Sequence, residues 1–200
     1  MVDRSIPFYN LILRCDTIRP AAVRLPEGIS LRRYRPGDET HWAALEHEIG
    51  DFASQEEAER YFCETYLPYK EDLSERCLFA VTEDNRVAGS CIAWRDPRNG
   101  TFAASLHWVV VSPPFARQGI GRALCQAALN FYAERGEVPV YIHTQPWSWK
   151  AVLLYGSLGF RIQKTDAFAR YKNQYFQAMA TLQTVLTAEQ LATVESIIDT

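Results

Sequence analysis

The stretch VVVSPPFARQGIGRALCQAAL, residues 109–129, holds residues whose types and spacing point to chemistry. Val109, Val110 and Val111 run into a Pro-Pro break, then Gly119-Ile120-Gly121, then an amphipathic helical pattern. Glycine loses more backbone entropy in a helix than any other residue, so glycines at a helix start imply that something approaches the backbone closely. The visitor such a start suits is an anion. The first N–H groups of a helix have no partner within it and the helix dipole adds partial positive charge, so a strand feeding this start forms a phosphate cradle. Neither a Rossmann G-x-G-x-x-G nor a Walker G-x-x-x-x-G-K-[ST] fits the letters. Cysteine offers less chemistry. Cys15, Cys63, Cys77, Cys91 and Cys125 are odd in number and contain no C-x-x-C pair. That argues against a disulfide framework and a zinc site, so no metal is expected and the thiols read as small core residues.

A cradle needs a strand, a helix and a core to hold them. The chain has 200 residues, 48% hydrophobic and 12% aromatic, enough to bury the core of one domain with elaborations. A net charge of −3 without a long block of like charges gives no electrostatic footprint for nucleic acid, so any anionic ligand must be held locally. No apolar run approaches the roughly 18 residues needed to span a bilayer, and residues 1–4 lead into no signal-peptide core. The expected setting is cytoplasmic, with no membrane and no nucleic-acid partner.

Periodicity and turn chemistry predict the elements. A strand over 7–15 and a linker with two prolines occupy 1–28 as an addition to the core domain. A strand over 29–34 precedes a helix opened by Asp38 with Trp42, Leu45 and Ile49 on one face, and Ser54 with Glu57 caps a second helix. A hairpin turns at residues 83–86, and a further strand, FAASLHWVVV, leads to the cradle. The helix after the glycines stops near Gly136. VPVYIHT is a strand, 148–158 a helix, FRIQKT a short strand, YFQAMATL a final strand, and Thr187 with Gln190 opens a terminal helix. The order predicts an α/β (α+β) chain around one twisted, mixed, mostly antiparallel sheet flanked by helices.

In three places the sequence resembles the GNAT superfamily of acyl-CoA-dependent N-acetyltransferases. The family's phosphate loop, [QR]-x-x-G-x-[GA], is matched by Ala116-Arg117-Gln118-Gly119-Ile120-Gly121, with Ala116 departing at the first position. The segment SWKAVLLYGSLGF is similar to the family's N-x-x-A-x-x-x-Y-x-x-x-G-F, with Ala151, Tyr155, Gly159 and Phe160 in register and Ser148 in place of Asn. The strand HWVVV between them and the hairpin resembles the one whose main chain binds the pantetheine arm. The resemblance implies a GNAT-like domain over 29–183, an extra N-terminal strand, a C-terminal helix over 184–200, and acetyl-CoA as cosubstrate.

It also implies roles. N–H groups of Arg117, Gln118, Gly119, Ile120, Gly121 and Arg122 would hold the pyrophosphate, and the main chain of Val109, Val110 and Val111 the pantetheine, with Ser148, Ala151 and Tyr155 completing the cosubstrate site. Tyr155 would protonate the departing thiolate. His107 stands two residues before Val109, so strand alternation puts both on one face, and it reads as either the base for an ammonium substrate or a satisfied core or pocket-lining histidine. His143 competes for that role. Trp147 and Trp149 are either packing or an acceptor wall, and Glu46, Glu48 and Asp51 either a solvated helix face or an attraction for a cationic amine. The leading expectation is transfer of acetyl from acetyl-CoA to a primary amine of a small molecule, in a ternary complex. The alternatives are a protein N-terminus or lysine as acceptor, a larger acyl donor, or a non-catalytic acyl-CoA sensor; a homodimer is an open option.

Overall fold

The computed structural model describes residues 3–98 and 100–199. Seven strands hydrogen-bond in the order β2-β3-β4-β5-β6-β1-β7. They are β1 Leu11–Cys15, β2 Ile29–Arg33, β3 Cys77–Thr82, β4 Val87–Arg98, β5 Thr101–Val111, β6 Val140–Thr144 and β7 Arg161–Ile162. Pairing is antiparallel for β2 with β3, β3 with β4, β1 with β6 and β1 with β7, and parallel for β5 with β6. The expected mixed, mostly antiparallel sheet is therefore present. The helices are α1 Asp38–Ile49, α2 Gln55–Thr65, α3 Lys70–Arg76, α4 Ile120–Arg135, α5 Trp149–Ser157, α6 Tyr175–Val185 and α7 Ala188–Ser196.

The chain divides into two compact units. The first comprises Pro20–Trp94 and Leu106–Phe131, and its core is strongly aromatic. Trp42 of α1, Phe62 of α2 and Tyr66 are fully buried with Leu73, Phe79 and Ile92. The helix starts follow the sequence signals in part. Ser54 accepts a hydrogen bond from the Glu57 N–H at 3.2 Å, as the capping spacing predicts. Asp38 opens α1, yet its carboxylate serves the Arg35 N–H and the Arg32 guanidinium, at 2.6 Å each, instead of capping α1 from the N-cap position, which Gly37 holds. The short helix α3 was not among the predicted elements.

The second unit comprises residues 3–19, Arg95–Ser105 and 132–199. β1 lies within the ladder, paired from Leu11↔Thr144 to Cys15↔Val140 on one edge and through Leu13↔Ile162 on the other. The C-terminal helix α7 starts with a full capping box at Thr187 and Gln190. The residues after it join β7, with the Ile162 N–H donating to the Ile197 carbonyl and the Asp199 N–H to the Ile162 carbonyl, both at 2.8 Å. One expectation is corrected here. The segment YFQAMATL is not a strand but the start of α6, because Ala178, Met179 and Leu182, at helical spacing, are its buried face. Cys15, Cys77, Cys91 and Cys125 are buried, and burial pushes the Cys125 thiol up to about 12, so these four behave as core residues.

Candidate active site

The cradle takes shape from backbone geometry. After β5 the Ser112 N–H donates to the Ala88 carbonyl at 2.9 Å, and a single 3₁₀ turn spans Pro113–Phe115. Arg117 (φ 64°) and Gly119 (φ 87°) then take left-handed conformations. A Cβ at Gly119 would meet no atom within 4 Å, so it is the conformation, not crowding, that asks for glycine there. Such a winding chain is the kind of backbone that forms anion-binding nests. The Ala123 N–H donates to the Gly119 carbonyl at 3.0 Å, which makes Gly119 the residue before the helix. By helix geometry the N–H groups of Ile120, Gly121 and Arg122 then lack intrahelical partners. Residues 116–119 are exposed, and the Arg117 and Arg122 side chains are exposed beside them. This segment fits the pyrophosphate of a CoA ester: its helix-start donors follow an exposed turn, two exposed arginines stand beside them, and no acidic side chain occurs from 112 to 122.

The strand before the cradle is not regular. Trp108 has φ 48°, a rare conformation for a bulky residue, so the chain turns out of the extended form between His107 and Val109. The alternation that would place those two side chains on one face does not carry through Trp108. The kink has a counterpart on β4, where a Cβ at Gly89 would lie 2.6 Å from the Val110 carbonyl oxygen. Gly89 is thus set by close backbone approach, and its place inside an apolar strand pattern was the available signal. Val110 is buried, and Val109 and Val111 are half-buried. His107 is half-buried with its Nδ1 2.9 Å from the hydroxyl of Tyr66, a residue that sequence reasoning gave no role.

The acidic residues near α1 separate. Glu46 is 1% exposed, so it is not part of a solvated face. Neither of its carboxylate oxygens has a hydrogen-bond partner among the described residues. Burial, and next the nearby Asp51 charge, push its carboxyl well above the usual range. Glu48 is exposed and accepts from the Ser112 hydroxyl at 2.7 Å.

The second unit carries the other predicted residues. Tyr155 is buried in α5, its ring tilted against Phe160 at 6.0 Å. Its carbonyl accepts from the N–H groups of Leu158 and Phe160, and Gly159 (φ 98°) makes the left-handed exit that closes the helix. Ser148 precedes α5, with its hydroxyl accepting from the Gln145 amide at 3.2 Å, and Ala151 is half-buried in the first turn. His143 is engaged on two sides, with Nε2 2.7 Å from Asn10 Oδ1 and its ring stacked on Tyr171 at 3.5 Å. Trp147 packs edge-on against Phe8 at 5.1 Å. The structure therefore groups Val109, Val110, Val111, the 117–122 cradle and His107 in the first unit, and Ser148, Ala151, Tyr155 and His143 in the second.

The model of the acetyltransferase (GNAT) family matches residues 40–160, more than half of the chain. The chain belongs to the GNAT acetyltransferase family. The matched region runs from α1 to Phe160 and so contains the cradle, His107 and Tyr155. The GNAT chain is 33% identical over 146 residues to a mycothiol acetyltransferase from Pseudarthrobacter chlorophenolicus, covering 68% of this chain and 43% of that one. It is 30% identical over 159 residues to a mycothiol acetyltransferase from Arthrobacter sp., covering 74% and 47%. It thus spans about half the length of the curated relatives it matches. Among solved structures, a GCN5-related N-acetyltransferase from Sphaerobacter thermophilus superposes with a TM-score of 0.59 at 25% identity, covering 78% of this chain and 48% of that one. The fold expected from the motifs, a GNAT sheet flanked by helices, is the observed one.

Proposed function

We propose that the chain transfers the acetyl group of acetyl-CoA to a primary amine of a small molecule. The observation that carries this reading is the left-handed turn at Arg117 and Gly119 opening α4, which leaves helix-start donors for a pyrophosphate, with the exposed Arg117 and Arg122 adding positive charge beside them. The names of the curated relatives favour a small-molecule acceptor over a protein terminus. In the proposed reaction the neutral amine nitrogen attacks the thioester carbonyl, the C–N bond forms and the C–S bond breaks through a tetrahedral oxyanion. Main-chain N–H groups of Val109, Val110 and Val111 orient the pantetheine and thioester, and His107 takes the proton the amine loses. Tyr155 gives a proton to the departing thiolate. The Tyr66 hydroxyl at His107 Nδ1 would orient the imidazole, so that Nε2 is the nitrogen that works.

Mass spectrometry of an amine and metabolite library incubated with the protein and acetyl-CoA tests this. A product heavier by one acetyl group, with free thiol appearing only when that amine is present, is the expected result. Binding of acetyl-CoA without turnover on any amine would favour the acyl-CoA sensor instead, a reading to which the Ala116 and Ser148 departures from the family pattern lend weight. Donors of increasing acyl length, assayed on the same amine, decide whether acetyl is preferred. We place the activity in the cytoplasm; among the described residues no helix is long and apolar enough to cross a membrane.

A further inference from the structure

Glu46 is the buried ionisable group for which the proposed reaction has no use. A carboxyl that is 1% exposed, with neither oxygen hydrogen-bonded among the described residues, is a destabilising thing to keep in a core. An apolar side chain of similar volume would cost nothing there. Its neighbourhood within the first unit is defined by two contacts. One turn earlier on the same face of α1, the Trp42 ring meets Trp108 edge-on at 5.4 Å, at the kink in β5. Two residues later, Glu48 accepts from Ser112 at 2.7 Å, just past the end of β5. Those two contacts set α1 beside the 108–112 stretch, and Glu46 lies between Trp42 and Glu48 along the helix, on the buried face it shares with Trp42. That stretch includes Val109, Val110 and Val111, to which the thioester was assigned.

We propose that Glu46 is the counter-charge for the acceptor's primary ammonium, binding it beside the 108–112 stretch so that the nitrogen is held near the thioester. The assignment rests on the acetyl-transfer reading above. A carboxylate without a protein partner has its full acceptor capacity to offer, and an ammonium brings donors that match it. Asp51 adds a second negative charge to the same attraction. Phe52, Tyr61 and Trp108 are half-buried and in mutual ring contact at 5.4–5.5 Å, and all three rings meet Trp42, one turn before Glu46 on α1, which sets apolar and π surface suited to the carbon next to an ammonium on that side of the helix. The substrate class is therefore an amine that arrives as a cation on an apolar arm.

The test compares two probes of similar shape on wild type and on Glu46→Gln. Benzylamine is cationic at neutral pH and O-benzylhydroxylamine is not. Glu46→Gln should raise KM for benzylamine by about 10- to 100-fold, the range for a lost hydrogen bond to a charged group, with a smaller change in kcat. KM for O-benzylhydroxylamine and the Kd of acetyl-CoA should stay within about twofold of wild type, since neither involves the ammonium. Glu46→Met, which removes the carboxyl altogether, should raise Tm and still lose benzylamine affinity. Equal KM changes for the two probes would mean a structural role, and no change for either would mean an idle carboxyl; each overturns the assignment while leaving the acetyl-transfer reading standing. Failure of the wild-type protein to acetylate either probe or any amine of the library removes both.

Discussion

At the scale of single residues, three side chains divide the proposed work, and substitution separates them. Tyr155 is buried against Phe160, so Tyr155→Phe keeps the ring packing and removes only the hydroxyl. If that hydroxyl serves the thiolate, kcat should fall on the order of 10²-fold with acetyl-CoA affinity retained, because the lost interaction grows in the transition state. Single-turnover kinetics with saturating acetyl-CoA checks this, and full activity would leave the thiolate to solvent. His107→Gln should displace the acidic limb of the kcat/KM profile, which Tyr155→Phe should leave in place. An unmoved limb would reassign the base to His143. Glu46 makes a prediction about stability as well. Its folded carboxyl is raised above its ordinary value of 4.5, so the protonated form is favoured in the fold. Stability is then fully present below that value and is lost as pH rises toward the folded value, because the unfolded chain ionises first. Glu46→Gln cannot ionise. The Tm difference, variant minus wild type, should therefore grow from pH 4.5 upward in the absence of substrate; a difference independent of pH would contradict the burial argument.

At the scale of elements, the sequence revealed what depends on local chemistry and hid what depends on tertiary approach. The cradle was readable because Gly119 is required by its own φ of 87°, a property of one residue and its turn. The cap at Ser54 and the capping box at Thr187 were readable for the same reason. The kink at Trp108 was not, since a bulky residue at φ 48° is held there by its surroundings and leaves no mark in residue type. Its partner signal, Gly89, sits on another strand. YFQAMATL was misread because a short apolar run satisfies strand alternation and helical spacing alike, and only the packed face of α6 decides. The sequence named Glu46 beside Glu48 and Asp51 but hid its burial, for an acidic residue on an amphipathic helix is normally solvated. The Gly89 argument can be tested. Gly89→Ala would drive a methyl to 2.6 Å from the Val110 carbonyl oxygen, so either strand must shift. The expected cost is about 1–3 kcal/mol in urea denaturation, typical of overpacking, together with weaker acetyl-CoA binding. Wild-type stability in that variant would show that β5 adjusts without cost.

For the molecule as a whole, the question is whether an acidic chain can hold a polyanionic cosubstrate. The net charge of −3 works against it at long range, so the attraction must come from the local donors at 116–122. Dissection is therefore possible with ligands that carry or lack the phosphate-bearing nucleotide part. A ligand bound only by the folded state stabilises it by mass action, by about 2.7 kcal/mol at a concentration one hundredfold above Kd. Acetyl-CoA should thus raise Tm, whereas S-acetylpantetheine, which carries the thioester arm and no phosphate, should raise it far less at the same concentration. Gly121→Glu places a carboxylate in the first turn of α4, where it meets the same helix-start N–H groups and repels an incoming phosphate. That variant should fold, as its circular dichroism would show, and should lose the acetyl-CoA shift while its small response to S-acetylpantetheine persists. The contrast is diagnostic because S-acetylpantetheine keeps the thioester arm but has no pyrophosphate for the cradle to hold, so only the acetyl-CoA shift can depend on Gly121. Equal shifts from both in the wild type, or an undiminished acetyl-CoA shift in Gly121→Glu, would place the affinity elsewhere in the chain and remove the 116–122 segment from the site.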